Sequence, residues 1–397
     1  MKSNSQKNVE ILKKLPKSEY YRLIVDGLLQ NNSEEVGWLG YAMREPRSLP
    51  NALAALRFSL CNNFNDKMVS INLICEIHKC AMKGTQNTFA TPGEFRETNY
   101  PGSFYLDIND HCSPTGLNEL YQFVKDNETY GCCIGTTKKR EYYLDSDAYE
   151  NARKEMNNLI NIGSIDAIMN FFQQPTSEDI NKVLSYRAPF GCHIVAKLQE
   201  ICDEYNKNIL QSKDSTQQLE VIVKCVRQIE WLHPFHDGNC RVAYILLHRL
   251  LLQNGFLPAM LCDPNRFDGF SLEELIKDVQ EGCKNTEDFC KNVEHTIFSC
   301  DTKIIDSRIQ EIMSGKDEEP HIAPEMRFST YVKREYKKVE KEITQLYEII
   351  QNFNYENSNE NRPLVTERSP LLLSAPKKGV QDLQDPPKKN RTCCLII

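Results

Sequence analysis

The segment from Val242 to Leu252 constrains the fold most, because it is apolar on nearly every side. A helix with one apolar face can lie on a surface, whereas a helix that is apolar all round must be covered by other elements. Upstream, Leu219 to Ile229 carries its apolar residues on one face at helical spacing. We therefore predict a mainly α-helical protein with these two helices at the core.

A short polar loop, residues 233–241, joins the two predicted helices and reads His-Pro-Phe-His-Asp-Gly-Asn-Cys-Arg. A residue before proline favours extended backbone, so we expect His233 to be extended and to lie at the mouth of a helix that starts near Arg241. A histidine can take a proton from a hydroxyl at neutral pH, which makes His233 our candidate general base. Phe235 should point the opposite way, into the core, and fix the loop.

The second half of this loop offers metal-binding and anion-binding groups. Asp237 is a hard oxygen ligand suited to Mg²⁺. Backbone N–H groups around Gly238, Asn239 and Cys240, with the positive end of the next helix, predict a nest for a diphosphate, which Arg241 would clamp. Each residue alone is better explained by an ordinary turn, but the ordered set meets the needs of phosphoryl-type transfer.

The loop resembles the Fic, or Fido, signature HxFx[DE]GNGRxxR, and its surroundings are similar from about residue 69 to residue 298. Pro92-Gly-Glu-Phe-Arg96 lies upstream, and Leu252-Gln-Asn-Gly-Phe-Leu-Pro258 follows. The resemblance implies a Fic-type helical bundle that transfers AMP from ATP, with Mg²⁺, to a Ser, Thr or Tyr hydroxyl of a target protein. The loop residues above would then bind the nucleotide.

The resemblance also implies a flap at about residues 98–108 that aligns the target by β-strand pairing. Aromatic and β-branched residues surround Pro101-Gly102 there, which indicates a short β-hairpin. The candidate docking residues of this flap are Thr98, Tyr100, Phe104 and Tyr105.

Two positions depart from the family pattern and leave the donor open. Cys240 replaces the second Gly, and Tyr244 replaces the last Arg, which in the family grips the terminal phosphate. AMP is the leading expectation and UMP from UTP the next. A phosphocholine transferase that uses CDP-choline, a Doc-like kinase, and a catalytically inactive membrane-anchored scaffold are the alternatives.

Composition limits the partners and the compartment. The net charge of −7 over 397 residues argues against nucleic-acid binding, which needs a basic surface. The 16 cysteines are scattered through helical segments of a long chain, so we expect reduced thiols in a cytosol. The first residues lack the apolar stretch of a secretory signal.

The last residues predict a lipid anchor. Cys394-Leu-Ile-Ile397 fits the C-a-a-X pattern of prenylation, and Cys393 is a second candidate for lipidation. Basic residues upstream would strengthen the attachment to a membrane. Combined with the Fic-like loop, this tail predicts a bacterial protein that is delivered into a host cell without a Sec signal and acts on a membrane-associated host protein.

The chain divides into four expected regions. They are a helical lead-in (1–62), a Fic-type domain (63–300) with an irregular helical insertion (131–179), a helical extension (301–353) and a disordered tail (354–397). Apolar residues from Val332 to Phe353 follow heptad-like spacing, so this long helix is expected to dock on the protein or to form a coiled coil with a partner or a second copy.

Overall fold

The computed structural model describes residues 4–25, 27, 38, 41, 47–61, 64, 66–85, 90–99, 101–106, 112–127, 129–138, 170, 180–291 and 328–353. Several predicted features lie outside these residues. They are Tyr100 of the flap, nearly all of 139–179, and the whole tail 354–397 with Cys393 and Cys394.

The described part of the chain is mainly helical, as the sequence predicts. Its helices are α1 (Asn4–Leu12), α2 (Ser48–Cys61), α3 (Ile71–Ala81), α4 (Pro114–Asp126), α5 (Ile194–Gln211), α6 (Ser215–Leu232), α7 (Asn239–Gln253), α8 (Leu272–Lys291) and α9 (Phe328–Gln351). Its strands are β1 (Pro101–Leu106), β2 (Gly131–Lys138) and β3 (Ile180–Phe190), and short 3₁₀ helices cover Lys17–Leu23, Gly191–His193 and Pro264–Asp268. Within the described residues, no helix is long and apolar enough to cross a membrane.

Helix α7 is the centre of the fold, which confirms the prediction from its all-round apolar sequence. Every residue from Val242 to Gln253 is buried, and α2, α3 and α6 pack around the helix. Polar side chains on α7 donate to backbone carbonyls of neighbouring segments, which gives them hydrogen-bond partners inside the core. His248 Nε2 donates to Leu23 O at 2.7 Å, and Arg249 donates to Ser59 O.

Local capping explains where several helices begin. Ser70 accepts a hydrogen bond from Leu73 N at the start of α3. At the start of α8, Ser271 N donates to the Glu274 carboxylate at 2.8 Å, and Glu274 N donates back to Ser271 Oγ. This reciprocal pair is the capping box that the sequence spacing indicates.

The flap differs from its prediction, because it contains one strand rather than a hairpin. Strand β1 pairs antiparallel with β3, a partner far away in sequence, with a register shift between Pro101 and Ser103. Gly102 makes no turn: a Cβ there would lie 2.7 Å from Arg96 Nε, so glycine is required for close packing. The Pro-Gly pair was therefore misread as a hairpin turn.

The segment predicted as an irregular helical insertion begins with a strand. Strand β2 pairs antiparallel with β3 along its whole length, which gives a three-stranded sheet of order β1-β3-β2. The residues Cys132-Cys133-Ile134 and Thr136-Thr137 favour extended backbone, but their partner strand is distant in sequence and gives no local signal. The helical prediction was wrong for residues 131–138.

Helix α9 packs its apolar stripe against the N-terminal part of the same chain. It contacts α2 and the 3₁₀ helix Lys17–Leu23, and the rings of Tyr20 and Tyr347 meet edge to face at 5.8 Å. An ion pair of 3.0 Å joins Arg57 on α2 to Glu342 on α9. This docking accounts for the heptad-like stripe without a second chain.

We predict that Leu346→Ala lowers the free energy of unfolding by about 2–5 kcal/mol, measured by urea denaturation. Leu346 on α9 is completely buried, and the substitution leaves a cavity at this packing surface. The matched control is Lys341→Ala on the exposed face of the same helix. The urea midpoint should be independent of protein concentration, whereas a coiled coil between two chains would give a midpoint that rises with concentration.

Candidate functional site

His233 ends helix α6 in a left-handed conformation, with φ 46° and ψ 59°. The extended backbone expected from the following proline was therefore wrong at this residue. Its N–H donates to the carbonyls of Ile229 and Glu230, which closes the last turn of α6. The helix ending overrides the preference before proline and turns the chain sharply into the loop.

Arg96 holds this unfavourable turn in place. Its Nε donates to His233 O at 2.6 Å, and its Nη2 donates to Leu232 O at 3.1 Å. The backbone adds a third link, since Arg96 N donates to Pro234 O at 3.2 Å. A left-handed non-glycine residue costs about 1–2 kcal/mol, so it persists only where its surroundings fix it. Sequence reasoning included Arg96 in the Fic resemblance without giving it this role.

The imidazole of His233 is neutral at physiological pH. Burial, reinforced by the nearby Arg96 guanidinium, lowers the pKa of His233 to about 3. The side chain keeps 17% of its surface exposed, which is enough for a substrate atom to reach it. The unprotonated, reachable imidazole is in the state from which a proton acceptor starts, and its low pKa makes it a weak base in the ligand-free site.

Phe235 and Asn239 make the loop rigid from the inside. Phe235 is 1% exposed, which confirms that it points into the core, and its ring stacks on His78 with centroids 3.7 Å apart. The Asn239 side chain accepts from Phe235 N at 2.9 Å and donates to Phe235 O at 3.0 Å. Asn239 thus acts on the loop through its side chain, and only its backbone faces the predicted anion nest.

The nest lies where α7 begins. Gly238 has a positive φ of 78°, and a Cβ there would lie 2.6 Å from Met82 Sδ, so both conformation and space require glycine. The first hydrogen bond of α7 runs from Val242 N to Gly238 O. The N–H groups of Asn239, Cys240 and Arg241 precede that bond and lie at the positive end of the helix.

Asp237 and Arg241 form a pair at the nest. Arg241 Nη2 lies 3.4 Å from Asp237 Oδ2, and Arg241 Nη1 donates to Ser48 Oγ at 3.2 Å. Asp237 Oδ1 accepts from Gly238 N at 2.6 Å. Arg241 is thus held by Asp237 and by Ser48. Its predicted contact with phosphate requires the guanidinium to bind the ligand and Asp237 at the same time.

The chemistry of Asp237 fits Mg²⁺ in one particular mode. Among the described residues, no group of three His, Cys, Asp or Glu side chains is arranged to hold a metal ion. Mg²⁺ in phosphate-transfer sites is commonly bound by one or two carboxylates, substrate phosphates and water. A single carboxylate with 17% of its surface exposed, beside an anion nest, is compatible with that mode.

Tyr244 does not face the nest. Its hydroxyl donates to Ala259 O at 2.9 Å and accepts from Leu261 N at 3.2 Å, and the residue is 5% exposed. The position that carries the last Arg of the Fic signature therefore belongs to the core of this protein. Within the signature, Arg241 is the remaining cation.

Two carboxyl groups lie behind His233 and were missed in the sequence. Glu230 Oε1 is 3.8 Å from His233 Nδ1, too far for a hydrogen bond, and burial raises the pKa of Glu230. Burial and the negative charge of Glu230 also raise the pKa of Asp268. Glu230 Oε2 and Asp268 Oδ1 are buried and, within the described part of the chain, hydrogen-bond to nothing.

One of these carboxyl groups left a signal in the sequence. Glu230 interrupts an apolar stretch, Ile229 to Leu232, one turn before the histidine, and a buried charge is a candidate functional group. Asp268 lies in the 3₁₀ helix Pro264–Asp268, and only the fold brings it to Glu230.

The flap is tied to the same end of α6. Tyr186 on β3 donates its hydroxyl to Trp231 O at 2.9 Å, two residues before His233. Phe104 and Tyr105 of β1 pair with Tyr186 and Ser185, and β1 is an edge strand of the described sheet. Exposed Thr98 accepts a bond from Cys192 N at 3.2 Å. This edge is compatible with strand addition by a target segment.

Comparisons with known proteins point to one family. The Fic/DOC family model matches residues 144–251, which include the whole loop. The chain is 33% identical over 282 residues to the phosphocholine transferase AnkX of Legionella pneumophila, covering 69% of this chain and 28% of that protein. Among solved structures, a Fic domain containing signaling protein from Bacteroides thetaiotaomicron overlaps with a TM-score of 0.33 and 10% identity, covering 91% of this chain and 100% of that one.

We predict that Arg96→Lys lowers the free energy of unfolding by about 1–3 kcal/mol in urea denaturation. One ammonium cannot donate along both guanidinium directions, so a buried carbonyl of Leu232 or His233 loses its partner. Lysine keeps the positive charge of Arg96, so the loss of stability would report on the geometry of the hydrogen bonds rather than on the charge. Arg187→Lys, at a half-exposed position on β3, is the control, and an equal loss in both variants would contradict the clamp.

Proposed function

We propose that this chain, whose residues 144–251 match the Fic/DOC family model, is a Fic-type transferase that moves phosphocholine from CDP-choline to a hydroxyl of a target protein. The observation that carries this proposal is the buried carboxyl group of Glu230, 3.8 Å from the candidate base His233, together with Asp268, whose pKa is raised by burial and by the charge of Glu230. The name of the AnkX relative supports the same donor. Since the chain matches only 28% of that relative, the activity is a proposal for this chain.

The chemical group next to the attacked phosphate decides between donors. In AMP transfer that group is adenosine, which is uncharged and gains nothing from acidic neighbours. In phosphocholine transfer it is a trimethylammonium group, for which carboxylates are complementary. A unit charge about 4 Å away contributes roughly 4 kcal/mol at an effective dielectric constant of about 20. Because burial raises the pKa of both Glu230 and Asp268, a cationic headgroup gains this attraction only from their ionised forms.

Tyr244 supports the same choice from the other end of the donor. A nucleoside triphosphate has a terminal phosphate that requires a further cation, whereas a CDP ester has only two phosphates. The Tyr244 hydroxyl bonds to the backbone of Ala259 and Leu261 and offers no positive charge. AMP, which the motif alone favours, is thus the second candidate.

In the proposed reaction the target hydroxyl attacks the phosphorus that carries choline. The bond from that phosphorus to the bridging oxygen breaks, CMP leaves with the electron pair, and the target keeps phosphocholine. His233 accepts the hydroxyl proton, since its imidazole is unprotonated before the reaction. Backbone N–H groups at the start of α7 orient the diphosphate, and Arg241 balances its charge.

Asp237 would hold Mg²⁺ next to the anion nest, and the ion would supply positive charge for the diphosphate. The pairing of Asp237 with Arg241 keeps its carboxylate next to the nest. Gly238 N, which donates to Asp237 Oδ1, limits the directions in which the carboxylate can turn.

The target is proposed to be a protein at a membrane surface. The edge of β1 supports docking of an extended target segment, with its hydroxyl directed to His233. The C-terminal Cys394, with Cys393 and the basic residues before them, supports a lipid anchor that brings the enzyme to such a surface. The anchor and the delivery into a host cell stay predictions from sequence.

We predict that the full chain, incubated with Mg²⁺ and a eukaryotic lysate, adds one phosphocholine mass to a target protein with CDP-choline as donor. Parallel reactions contain ATP, UTP, GTP or CTP, and intact-mass and peptide mass spectrometry identifies the increment. His233→Ala should abolish it, since the proton acceptor is lost.

The outcome assigns the donor directly. An AMP increment with ATP, lost in the same variant, would replace phosphocholine by the second candidate. A lone phosphate from ATP would indicate a kinase. If no donor gives an increment and His233→Ala still binds targets, the protein would be a catalytically inactive scaffold.

We predict that the KM for CDP-choline falls as pH rises, and that Glu230→Gln removes this dependence and raises the KM at least about tenfold. Burial raises the pKa of Glu230 above the usual carboxyl range, so its anionic form appears only as pH rises through that pKa. Below it Glu230 is protonated and offers the headgroup no charge. Steady-state kinetics between pH 6 and 9 would measure the effect.

Two controls isolate the headgroup. A CDP ester of 3,3-dimethylbutanol has the shape of CDP-choline without the charge, and its KM should change little with pH or with Glu230→Gln. Glu273→Gln, an exposed acid on α8, should leave both donors unaffected. Equal effects of Glu230→Gln on the charged and neutral donors would contradict the proposed subsite.

A further inference from the structure

We infer that His78, on helix α3, is a positioning residue that fixes the loop carrying Asp237 and Gly238 and thereby sets the geometry of the proposed transfer. The inference rests on the site of the proposed function but does not depend on the donor. His78 lies far from the loop in sequence and is completely buried.

Both ring nitrogens of His78 are engaged, each by a different segment. Gly93 N donates to Nδ1 at 2.9 Å, and Nε2 lies 3.1 Å from Asp237 O. Since Nδ1 accepts a hydrogen bond from Gly93 N, Nε2 of the neutral ring carries the hydrogen and donates to the Asp237 carbonyl. One imidazole therefore links helix α3, the segment before the flap and the loop of the site.

The ring faces of His78 are used as well. Phe235 stacks on the imidazole with an interplanar angle of 3°. A Cβ on Gly238 would lie 3.5 Å from the His78 ring carbon Cδ2, so the loop backbone follows the edge of the ring closely. His78 thus touches three successive parts of the loop, at Phe235, Asp237 and Gly238.

These contacts act at a position where backbone direction matters for chemistry. The Asp237 carbonyl that accepts the hydrogen bond from His78 belongs to the residue whose carboxylate would bind Mg²⁺. Gly238, next in the chain, begins the anion nest. A rotation of the peptide between Asp237 and Gly238 would move the carboxylate and the nest together, and the bond from Nε2 opposes that rotation.

A simpler role would be that His78 only fills the core between α3 and the loop. The two roles make different demands on side chains. Core filling needs an aromatic ring of this size, whereas positioning needs a donor at the place of Nε2. Glutamine can place an amide N–H near Nε2, and asparagine can place an amide oxygen near Nδ1, so the two bonds can be removed separately.

The experiment compares His78→Asn, His78→Gln and His78→Phe with the wild type in the full chain. Amide hydrogen exchange of the peptide spanning residues 233–239 is measured by mass spectrometry. We expect exchange at least about tenfold faster in His78→Asn and His78→Phe, and near the wild-type rate in His78→Gln. Asn72→Ala, on the exposed side of α3, is the control and should change nothing.

Kinetics supply the second readout. In His78→Asn we expect kcat and the apparent affinity for Mg²⁺ to fall about tenfold, with the KM for the donor nearly unchanged, and His78→Gln should restore both. Exchange that rises equally along α3 and the loop, or a His78→Phe variant with wild-type exchange and kcat, would overturn the positioning role and leave core filling.

The two proposals fail in distinguishable ways. If the wild type transfers nothing from CDP-choline, the proposed donor is wrong, while hydrogen exchange at residues 233–239 still reports on His78. If the wild type is active and His78→Asn matches it in exchange and kcat, the donor stands and the role of His78 is rejected.

Discussion

The hold of Arg96 on the carbonyls of Leu232 and His233 is the contact on which the site depends. It stops α6 at a left-handed residue, a conformation that histidine adopts only when its surroundings fix it. The chain then reverses at once, and the next helix begins only a few residues later. Base, loop and nest are therefore set by one buried side chain from a distant segment, which explains how a short polar loop can be rigid between two apolar helices.

The loop of residues 233–241 also needs support on the side that faces helix α7. Helix α7 supplies that second support, because its burial on every side leaves it no freedom to shift relative to α2, α3 and α6. The Asn239 side chain bonds both backbone groups of Phe235 and closes the loop on itself. The positive end of a fully buried helix thus faces the substrate, and its N–H groups are preorganised before any anion binds.

The sequence predicted what depends on local pattern and missed what depends on distant partners. The burial of α7 and the inward direction of Phe235 follow from residue types at known spacing. The conformation of His233 did not, because proline favours one backbone region while the helix end and Arg96 select another. The prediction of a hairpin in the flap failed for a similar reason. Pro101-Gly102 has the composition of a turn, but glycine is needed there because Arg96 packs against it.

Two differences in charge distinguish this site from the family signature, and both support the proposed CDP-choline donor. Where the family signature has a second Arg, Tyr244 bonds to a backbone carbonyl in the core, so the nest has less positive charge for a polyphosphate. At the other end, Glu230 lies 3.8 Å from His233 and raises the pKa of Asp268. One buried oxygen of each carboxyl group has no hydrogen-bond partner in the described part of the chain, and such burial destabilises the folded protein. Under the proposed function, a trimethylammonium group beside them would stabilise the ionised forms, which burial otherwise disfavours. The same two features would weaken a nucleoside triphosphate at its terminal phosphate and leave its nucleoside against two acids.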